Sequence, residues 1–433
     1  MKTFKALTAG LLALAFATLA TAQTHVYITG STAFRKATHA AIINALGNGS
    51  SGHTVLGASI GAFSGSGFAV FTGTLAGTNT EVVFHTSWAG STGGIQSVAQ
   101  QGTPLTRSYL NELTTSPSSI TLSGAVTSYT FNGGNASVTA SGTTTISHTS
   151  DIAMSDTFQE SSIFTGTVNL TATNTLATYE SLVDNVVGIV AFRWVRGNAF
   201  TTSDGTTSVS SNFANVTNLT TLQAINLLNG GMPMSQLTGV AGDVSKAVKV
   251  FGRDEDSGTR LVTFAEPGFG VQSTPLQWEP TLGTSSLASV IVSVHAFPAV
   301  SNLLGFSFSA GHSGFSSGSS LVTALNRQML TSANTFMIGY AGRSDALNAT
   351  NGASLTYNGV DDNDTNIREG KYTFWGYEHL MYKSSLSGTA LTAAEALVTQ
   401  IHDVDGEVAG PLLSTMKVGR TVEGGAVTFG NPF

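Results

Sequence analysis

The sequence predicts an α/β fold in which mixed β-sheets are flanked by helices. Apolar runs with strand character alternate along most of the chain with segments whose apolar residues recur at helical spacing. Turn residues separate these segments: the run Ala247–Phe251 ends at Gly252, and Arg253–Thr259 then leads into another helical pattern. With 433 residues, the chain is long enough for two or three domains of ordinary size.

The first part of the chain has the pattern of a strand, a turn and a helix. His25–Ile28 has strand character, and the turn that follows offers Ser31 or Thr32 as a helix N-cap. Apolar residues then recur at helical spacing up to Leu46, and Gly47 is a typical C-terminal stop. Further elements are predicted at Val186–Phe192 (strand), Leu219–Leu228 (helix) and Ala247–Phe251 (strand).

The N-terminus has the features of a secretory signal. Two lysines precede the apolar run Leu7–Leu19, which is too short to span a bilayer. Ala20-Thr21-Ala22 has the small-x-small pattern of a cleavage site. We therefore expect residues 1–22 to be a cleaved signal peptide, and the mature chain from Gln23 to be periplasmic or secreted.

Composition excludes some classes of partner. Only 10% of residues are charged and the net charge is −7, which argues against a nucleic-acid surface. The chain has no cysteine, so an exported form must be held together by a large core rather than by disulfides. Donors gathered in a closed cleft can still bind a small anion despite a weak negative global field.

Two stretches contain no Asp, Glu, Lys or Arg and are rich in Gly, Ser and Thr: 37–80 and 113–150. In the second, Val126–Phe131 alternates polar and apolar residues, and Asn132–Asn135 has hairpin-turn composition. We interpret the stretch 113–150 as an inserted β-hairpin or small β-flap. The alternative is a disordered low-complexity linker.

The segment Arg253–Thr259 carries the most informative chemistry. Arg253 offers a planar fork of donors, and the start of the following helix offers free backbone N–H groups and the positive end of a dipole. Gly258 allows the backbone to approach a ligand without a Cβ in the way. These groups together suit a tetrahedral oxyanion.

Five segments, in order along the chain, resemble the periplasmic phosphate-binding proteins of ABC transporters, within the class II solute-binding superfamily. Arg253-x-Glu255-x-Ser257-Gly258-Thr259 is similar to the ligand loop of that family. The other four segments are Ile28–Phe34 (first ligand turn), Gly90–Gly94 (second ligand turn, with a helix from about Ile95), Asp151–Asp156 (the segment with the ligand-binding Asp) and Ile338–Tyr340 (the strand that crosses between domains).

The resemblance implies a ligand site built from these segments. Its residues would be Ser31, Thr32, Phe34, Ser91, Asp156, Arg253, Ser257, Gly258 and Thr259. Hydroxyls and backbone N–H groups would donate to the anion, Arg253 would be the main positive charge, and Glu255 would pair with Arg253. Asp156 would accept a proton from the ligand, which protonated phosphate can donate at neutral pH and ionised sulfate cannot.

Each segment taken alone also has a simpler interpretation. A Ser or Thr before a helix is usually only a cap. Arg253 can pair with Asp254 or Asp256 at the surface, and Asp156 can cap the helix that follows it. The agreement of all segments in order is what favours a site.

The resemblance implies two lobes of the periplasmic-binding-protein type II fold, with β-rich insertions in the first. Lobe I would comprise 23–188 and 341–433, and lobe II would comprise 189–340, with the ligand in the cleft between them. The protein would capture phosphate or a related oxyanion as a monomer and present it to an inner-membrane ABC permease. It would have no catalytic residue, cofactor or metal.

Two alternatives remain open at the sequence level. A surface or matrix adhesion protein would use the Ser/Thr/Gly-rich insertions on a binding-protein scaffold. An exported hydrolase would use Ser59, which lies in a G-x-S-x-G pattern without a clear helix after it.

Overall fold

A computed structural model describes residues 23–46, 53–57, 66–111, 119–122 and 145–430, and only the backbone of 53–57 and 119–122. The predicted signal peptide (1–22), Ser59 and the predicted hairpin around Val126–Asn135 lie outside the described residues.

The strands of the described residues are distributed along the whole chain. In order they are β1 Thr24–Gly30, β2 His53–Gly57, β3 Phe68–Thr74, β4 Glu81–Ser87, β5 Thr106–Leu110, β6 Ser119–Leu122, β7 Thr145–Thr149, β8 Ile152–Ser155, β9 Gly166–Leu170, β10 Thr175–Tyr179, β11 Val183–Arg196, β12 Phe200–Thr202, β13 Val209–Ser210, β14 Asn218–Leu219, β15 Met232–Pro233, β16 Ala247–Phe251, β17 Trp278–Leu282, β18 Ile291–Ala296, β19 Val300–Leu303, β20 Phe306–Phe308, β21 Met329–Leu330, β22 Thr335–Gly342, β23 Ala353–Ser354, β24 Thr356–Tyr357, β25 Trp375–Tyr382, β26 Val418–Gly419 and β27 Thr428–Phe429.

Helices alternate with these strands. They are α1 Arg35–Ala45, α2 Ser91–Ala99, α3 Thr221–Leu228, α4 Ser235–Thr238, α5 Gly258–Ala265, α6 Gly318–Leu325, α7 Arg343–Ala346, α8 Asp364–Arg368 and α9 Gly388–Asp403. None of the helices in the described part of the chain is both long enough and apolar enough to cross a bilayer.

The fold is α/β with mixed sheets, as the sequence predicts. Twelve of the described strands form one sheet: eleven follow the order β15-β16-β22-β11-β25-β8-β1-β4-β3-β2-β6, and β23 pairs with β11 beside this path. β1 is parallel to β4 and to β8, and β16 is parallel to β22, whereas β25 runs antiparallel to β8 and β11. A second sheet has the order β13-β12-β21-β18-β17.

Strand β11 connects the two halves of the large sheet. Its first part, up to Ala191, pairs with β25, and its last part, Phe192–Arg196, pairs with β22. The run is rich in Val and Ile and most of it is buried, which suits a strand covered on both faces.

The strand pairing bears on the predicted lobe boundary at residue 341. β23 pairs with the end of β11, and β24 pairs with β14, so the chain after residue 341 remains beside the segment 189–340 as far as Tyr357. It then joins the other half through β25, which pairs with β8. The division into two lobes remains a prediction.

The uncharged stretch 113–150 begins shortly after β5 and includes β7 near its end. β5 and β7 form an antiparallel pair that aligns Thr106 with Thr149 and Leu110 with Thr145. The intervening chain also contributes β6 to the edge of the large sheet, next to β2. These strands agree with a β-rich insertion.

The core lies against the large sheet. α1 and α9 pack together beside β1 and β11, and the largest buried side chains include Trp194 and Trp375. The main apolar cluster extends from Val26 near the N-terminus to Val418 near the C-terminus. A core of this extent stabilises the fold without disulfides.

Candidate functional site

The sheet topology gathers the predicted ligand segments at one edge. β1, β4 and β8 are parallel neighbours, so the turns after them carry Ser31, Ser91 and Asp156 to the same edge of the sheet. Arg253 follows β16 in the other half, just before α5. Ligands of open α/β sheets bind in such crevices beyond the carboxyl ends of the strands.

Asp156 is the centre of this cluster. Its carboxylate is 1% exposed and accepts one hydrogen bond at each oxygen. Ser91 Oγ donates to Oδ1 at 2.5 Å, and Thr259 Oγ1 donates to Oδ2 at 2.9 Å. Burial raises the pKa of Asp156, although these two hydrogen bonds and the charge of Arg253 oppose the shift. Asp156 therefore contacts residues from two other segments and does not act merely as a helix cap.

A glycine is required at position 258, where the start of α5 contacts Asp156 and Ser91. A Cβ added to Gly258 would lie 1.9 Å from Asp156 Oδ1 and 2.8 Å from Ser91 Cβ. The φ angle of Gly258 is not in the left-handed region, so the constraint comes from space and not from backbone conformation. The group that Gly258 allows to come close in the structure is a protein carboxylate, and the predicted approach to a ligand stays a prediction.

Arg253 is buried, so the alternative of a surface ion pair with Asp254 or Asp256 is wrong. Its side chain is 1% exposed. Nε donates to the carbonyl of Phe315 at 3.0 Å, and Nη2 contacts the carbonyl of Ser316 at 3.1 Å and Thr32 Oγ1 at 3.3 Å. A buried guanidinium needs hydrogen-bond acceptors of this kind. With these contacts, the guanidinium of Arg253 lies against the turn after β1.

Glu255 does not pair with Arg253, so this implication of the resemblance is wrong. Its carboxylate accepts a hydrogen bond from Ser313 Oγ at 3.1 Å, and His312 Nε2 lies 4.0 Å from its other oxygen. The peptide of Glu255 is held by Thr92, whose hydroxyl donates to its carbonyl at 2.6 Å. The Glu255 side chain therefore meets the segment 312–313 instead of Arg253.

The turn after β1 shows which of its side chains reaches the other half. Ser31 Oγ accepts the backbone N–H of Phe34 at 3.3 Å, which is a local turn contact. Thr32 is the residue whose hydroxyl contacts Arg253. The ring of Phe34 is fully buried and lies beside Gly188, where an added Cβ would be 2.8 Å away.

Ser257 is the N-cap of α5. Its hydroxyl accepts the backbone N–H of Arg260 at 3.3 Å, so the simpler interpretation of this residue holds in the structure. Arg260 is also buried. It donates to the carbonyls of Arg253 and His312 and thereby holds the loop before α5 against the segment at His312. Thr259 contributes its side chain to Asp156 instead.

The ligand loop also covers the N-terminus of α2. This helix begins at Ser91, four residues before the predicted start, and Gly93 lies in its first turn. The N–H of Thr92 donates to the carbonyl of Asp256 at 3.0 Å. The Asp256 carboxylate approaches Gly93 and Arg107, where it complements the positive end of the helix.

Burial reduces the negative charge that Asp254 and Asp256 carry in this loop. Burial raises the pKa of Asp254 to about 7, while Arg253 acts in the opposite direction. Burial also raises the pKa of Asp256 to about 6, and Arg107 opposes that shift. At neutral pH these carboxyls are therefore less negative beside an anion than two ordinary aspartates would be.

Two residues at the cluster were missed by the sequence analysis. Arg35, at the start of α1, lies near Arg253 and Asp345; its Nε is buried without a partner among the described residues, and burial lowers its pKa. Glu378, on β25, is 0% exposed and lies near Asp156 and Ser31. A single carboxylate within the apolar sequence Trp375–Tyr382 was the available signal for Glu378.

The arrangement suits a small anion that carries a proton. Arg253 and Arg35 supply positive charge, the Thr32 hydroxyl and the start of α5 supply donors, and Asp156 supplies an acceptor. Among the described residues, no group of three or more His, Cys, Asp or Glu side chains is placed to hold a metal ion.

Comparisons with known proteins give structural matches only. No protein-family profile and no curated protein sequence matches the chain. A putative phosphate ABC transporter substrate-binding protein from Clostridium perfringens, with bound phosphate, aligns at a TM-score of 0.42 and 13% identity, covering 89% of this chain and 96% of the other.

Two further solved structures are similar at the same distant level. An ABC-type phosphate transport receptor from Vibrio cholerae has a TM-score of 0.36 and 14% identity, with 86% of this chain and 93% of the other covered. PstS from Borrelia burgdorferi has a TM-score of 0.33 and 12% identity, with 89% and 97% covered. We therefore base the function of this chain on its own residues.

Proposed function

We propose that this chain is an exported solute-binding protein that captures phosphate or a related protonated oxyanion and presents it to an inner-membrane ABC permease. The ligand would lie between the turns that carry Thr32, Ser91 and Asp156 and the loop Arg253–Thr259. It would be released by separation of the two halves about β11 and β25.

The observation that carries this proposal is the meeting of Asp156, Ser91 and Thr259 beside the buried Arg253. Ser91 and Asp156 follow the ends of two neighbouring strands of the large sheet, whereas Arg253 lies in the loop before α5 and Thr259 in the first turn of that helix. A buried guanidinium without an ion pair destabilises the folded protein, because burying a charge is costly unless it is paired. A purely structural role for Arg253 is therefore unfavourable. Carboxyls near Arg253 act on it from a distance, but none of those described forms an ion pair with it, and an anionic ligand would supply that direct partner.

Asp156 would select among anions by their protons. Each of its oxygens accepts one protein hydroxyl, and a carboxylate has about four acceptor positions in total. It can therefore accept a ligand hydroxyl, whereas an unprotonated oxyanion would leave it facing another acceptor. The lost hydrogen bond to a charged group is worth about 1.5–3 kcal/mol, which corresponds to roughly tenfold to a hundredfold in affinity.

Titration calorimetry with phosphate, arsenate, sulfate and molybdate tests the proposal. We expect saturable 1:1 binding of phosphate and arsenate, with sulfate at least tenfold weaker. Arg253→Met should abolish binding, and Asp156→Asn should reduce the discrimination against sulfate. Arg327→Met is the control, since Arg327 lies away from the cluster and contacts the carbonyl of Ser289.

The outcomes separate the alternatives. Absence of binding to the intact mature protein would refute the proposal and favour the adhesion hypothesis. Equal binding of the Arg253→Met and Arg327→Met variants would show that the anion binds outside the cluster.

A further inference from the structure

Glu378 occupies an exceptional position on β25. Every residue of this strand is buried, and the carboxylate of Glu378 is 0% exposed. Glu378 is aligned with Gly188 of β11, and the next residue, His379, is aligned with Ser155 of β8. Since Ser155 directly precedes Asp156, Glu378 and Asp156 lie side by side where β8 ends.

The carboxyl group of Glu378 has no hydrogen-bond partner among the described residues, at either oxygen. The charged group that acts on it is Asp156, and the Ser31 hydroxyl approaches from the turn before α1. Gly188 of β11 contributes no side chain at this point. Successive side chains of a strand point to opposite faces, and His379 pairs with Asp184 instead.

An ionised carboxylate at this place would be buried next to a second carboxylate without a compensating cation. Burial, and then the charge of Asp156, raise the pKa of Glu378 well above its ordinary value, and the Ser31 hydroxyl opposes the shift only in part. Both effects favour the neutral carboxylic acid form of Glu378, which has one O–H donor to satisfy.

No described residue accepts a hydrogen bond from this donor. The neighbouring acceptors are engaged with other groups: the two oxygens of Asp156 accept Ser91 and Thr259, and Ser31 Oγ accepts the N–H of Phe34. A buried donor without an acceptor is costly, and such groups in folded proteins are rare outside binding sites. A ligand held by Asp156 would bring an acceptor oxygen to the neighbourhood.

We propose that Glu378, as a carboxylic acid, donates a hydrogen bond to an oxygen of the bound oxyanion and is thus a further specificity-determining residue. This inference rests on the proposed function of the same site. Asp156 requires a proton on the ligand, and Glu378 requires a bare oxygen on it. The pair therefore selects a tetrahedral oxyanion that carries both groups, such as hydrogen phosphate or hydrogen arsenate.

A pH dependence follows from this assignment. Above the pKa of Glu378 in the free protein, binding must restore its proton, and the affinity falls by up to tenfold for each pH unit. Glutamine retains an N–H donor at the same position but does not titrate. The ratio of the wild-type Kd to the Glu378→Gln Kd cancels the titration of phosphate itself, because both proteins see the same ligand.

The experiment is calorimetric titration of the full mature chain with inorganic phosphate from pH 5.5 to 9.5. The proteins are the wild type, Glu378→Gln, Glu378→Leu and the control Asp243→Asn. Asp243 is a buried carboxylate outside the site, already bonded to Lys246, Asn212 and Thr238. Thermal melting checks that each variant is folded.

We expect Glu378→Leu to bind phosphate roughly tenfold to a hundredfold more weakly at pH 6, because it lacks the donor. Glu378→Gln should bind within about threefold of the wild type at pH 6, and its affinity relative to the wild type should rise with pH, by the pH effect above. The control should follow the wild type at every pH.

Two results would overturn the inference while leaving the proposed function intact. One is phosphate binding to Glu378→Leu that is as tight as in the wild type. The other is a loss of binding in Glu378→Gln as large as in Glu378→Leu, since an amide donor should substitute for the acid. If Glu378→Leu does not fold, a Kd ratio for Glu378→Gln that stays constant up to pH 9.5 overturns it. Failure of the wild type to bind any oxyanion would refute the proposed function itself, and this inference with it.

Discussion

Replacing Gly258 by alanine would place a single methyl group in the contact between the start of α5 and the residues Asp156 and Ser91. Gly258 is the first residue of α5, and its backbone conformation is open to any residue. Alanine is also the better helix former, by roughly 0.5–1 kcal/mol. Considered locally, the substitution should therefore stabilise the protein.

The surroundings of Gly258 reverse this expectation. The new methyl carbon would lie 1.9 Å from Asp156 Oδ1 and 2.8 Å from Ser91 Cβ, whereas ordinary contacts begin at 3.4 Å. The start of α5 and the Asp156 carboxylate would have to separate by about 1.5 Å to reach van der Waals distance. Overpacking of this kind costs about 1–3 kcal/mol, and weakening the hydrogen bonds of Asp156 adds about 1 kcal/mol.

We expect a net loss of about 2 kcal/mol in the free energy of unfolding of Gly258→Ala, together with loss of phosphate binding. Urea unfolding and calorimetry measure the two effects. Gly242→Ala is the matched control, since a Cβ at Gly242 would meet nothing within 4 Å and its φ angle is not positive. That variant should be unchanged or slightly more stable, by less than about 1 kcal/mol.

The reasoning would be refuted if Gly258→Ala were as stable as Gly242→Ala and bound phosphate like the wild type. Such a result would mean that the loop before α5 does not pack against Asp156 in solution. A loss of stability with intact binding would instead separate the packing of this contact from the ligand site.

Three further predictions concern other parts of the molecule. Burial raises the pKa of Asp254 from 3.8 to about 7, so protonated Asp254 contributes stability that is fully present below about pH 4 and is lost as the pH rises to about 7. In thermal melts over this pH range, Asp254→Asn should therefore lose less stability than the wild type. Equal losses in the two proteins would contradict the assignment. Arg35→Met should weaken phosphate binding roughly tenfold in calorimetry, since it removes a charge beside Arg253; unchanged affinity would exclude Arg35 from the site. Thr220→Ala removes the capping box of α3 and should cost about 1 kcal/mol in urea unfolding without affecting binding, whereas an unchanged midpoint would show that the cap is dispensable.

Local patterns were sufficient to predict much of the fold. The strand at Ala247–Phe251 has the predicted bounds, and the helix predicted at Leu219–Leu228 begins two residues later, after its Thr220 cap. In each case the signal is contained in neighbouring residues, as a run of β-branched side chains or a cap before an apolar repeat. The loop after β16 was also predicted from its own composition, including the need for a glycine at Gly258.

The missing parts of the site depend on contacts between distant segments. Glu378 reaches the site because β25 pairs with both β8 and β11, and no local pattern contains that register. Glu255 meets Ser313 because a loop far along the chain folds back beside it. The start of α2 was predicted too late because the glycines at 93 and 94 suggested a turn, whereas packing against the loop 253–259 makes them part of the helix.

Crystallisation of the mature protein with arsenate tests the central claim most directly, because the anomalous signal of arsenic locates the anion without reference to the protein atoms. We predict one arsenic site within hydrogen-bonding reach of Arg253, Ser91, Asp156 and the start of α5. Arsenic bound only elsewhere, or no arsenic at saturating concentration, would contradict the assignment of this cluster as an oxyanion site.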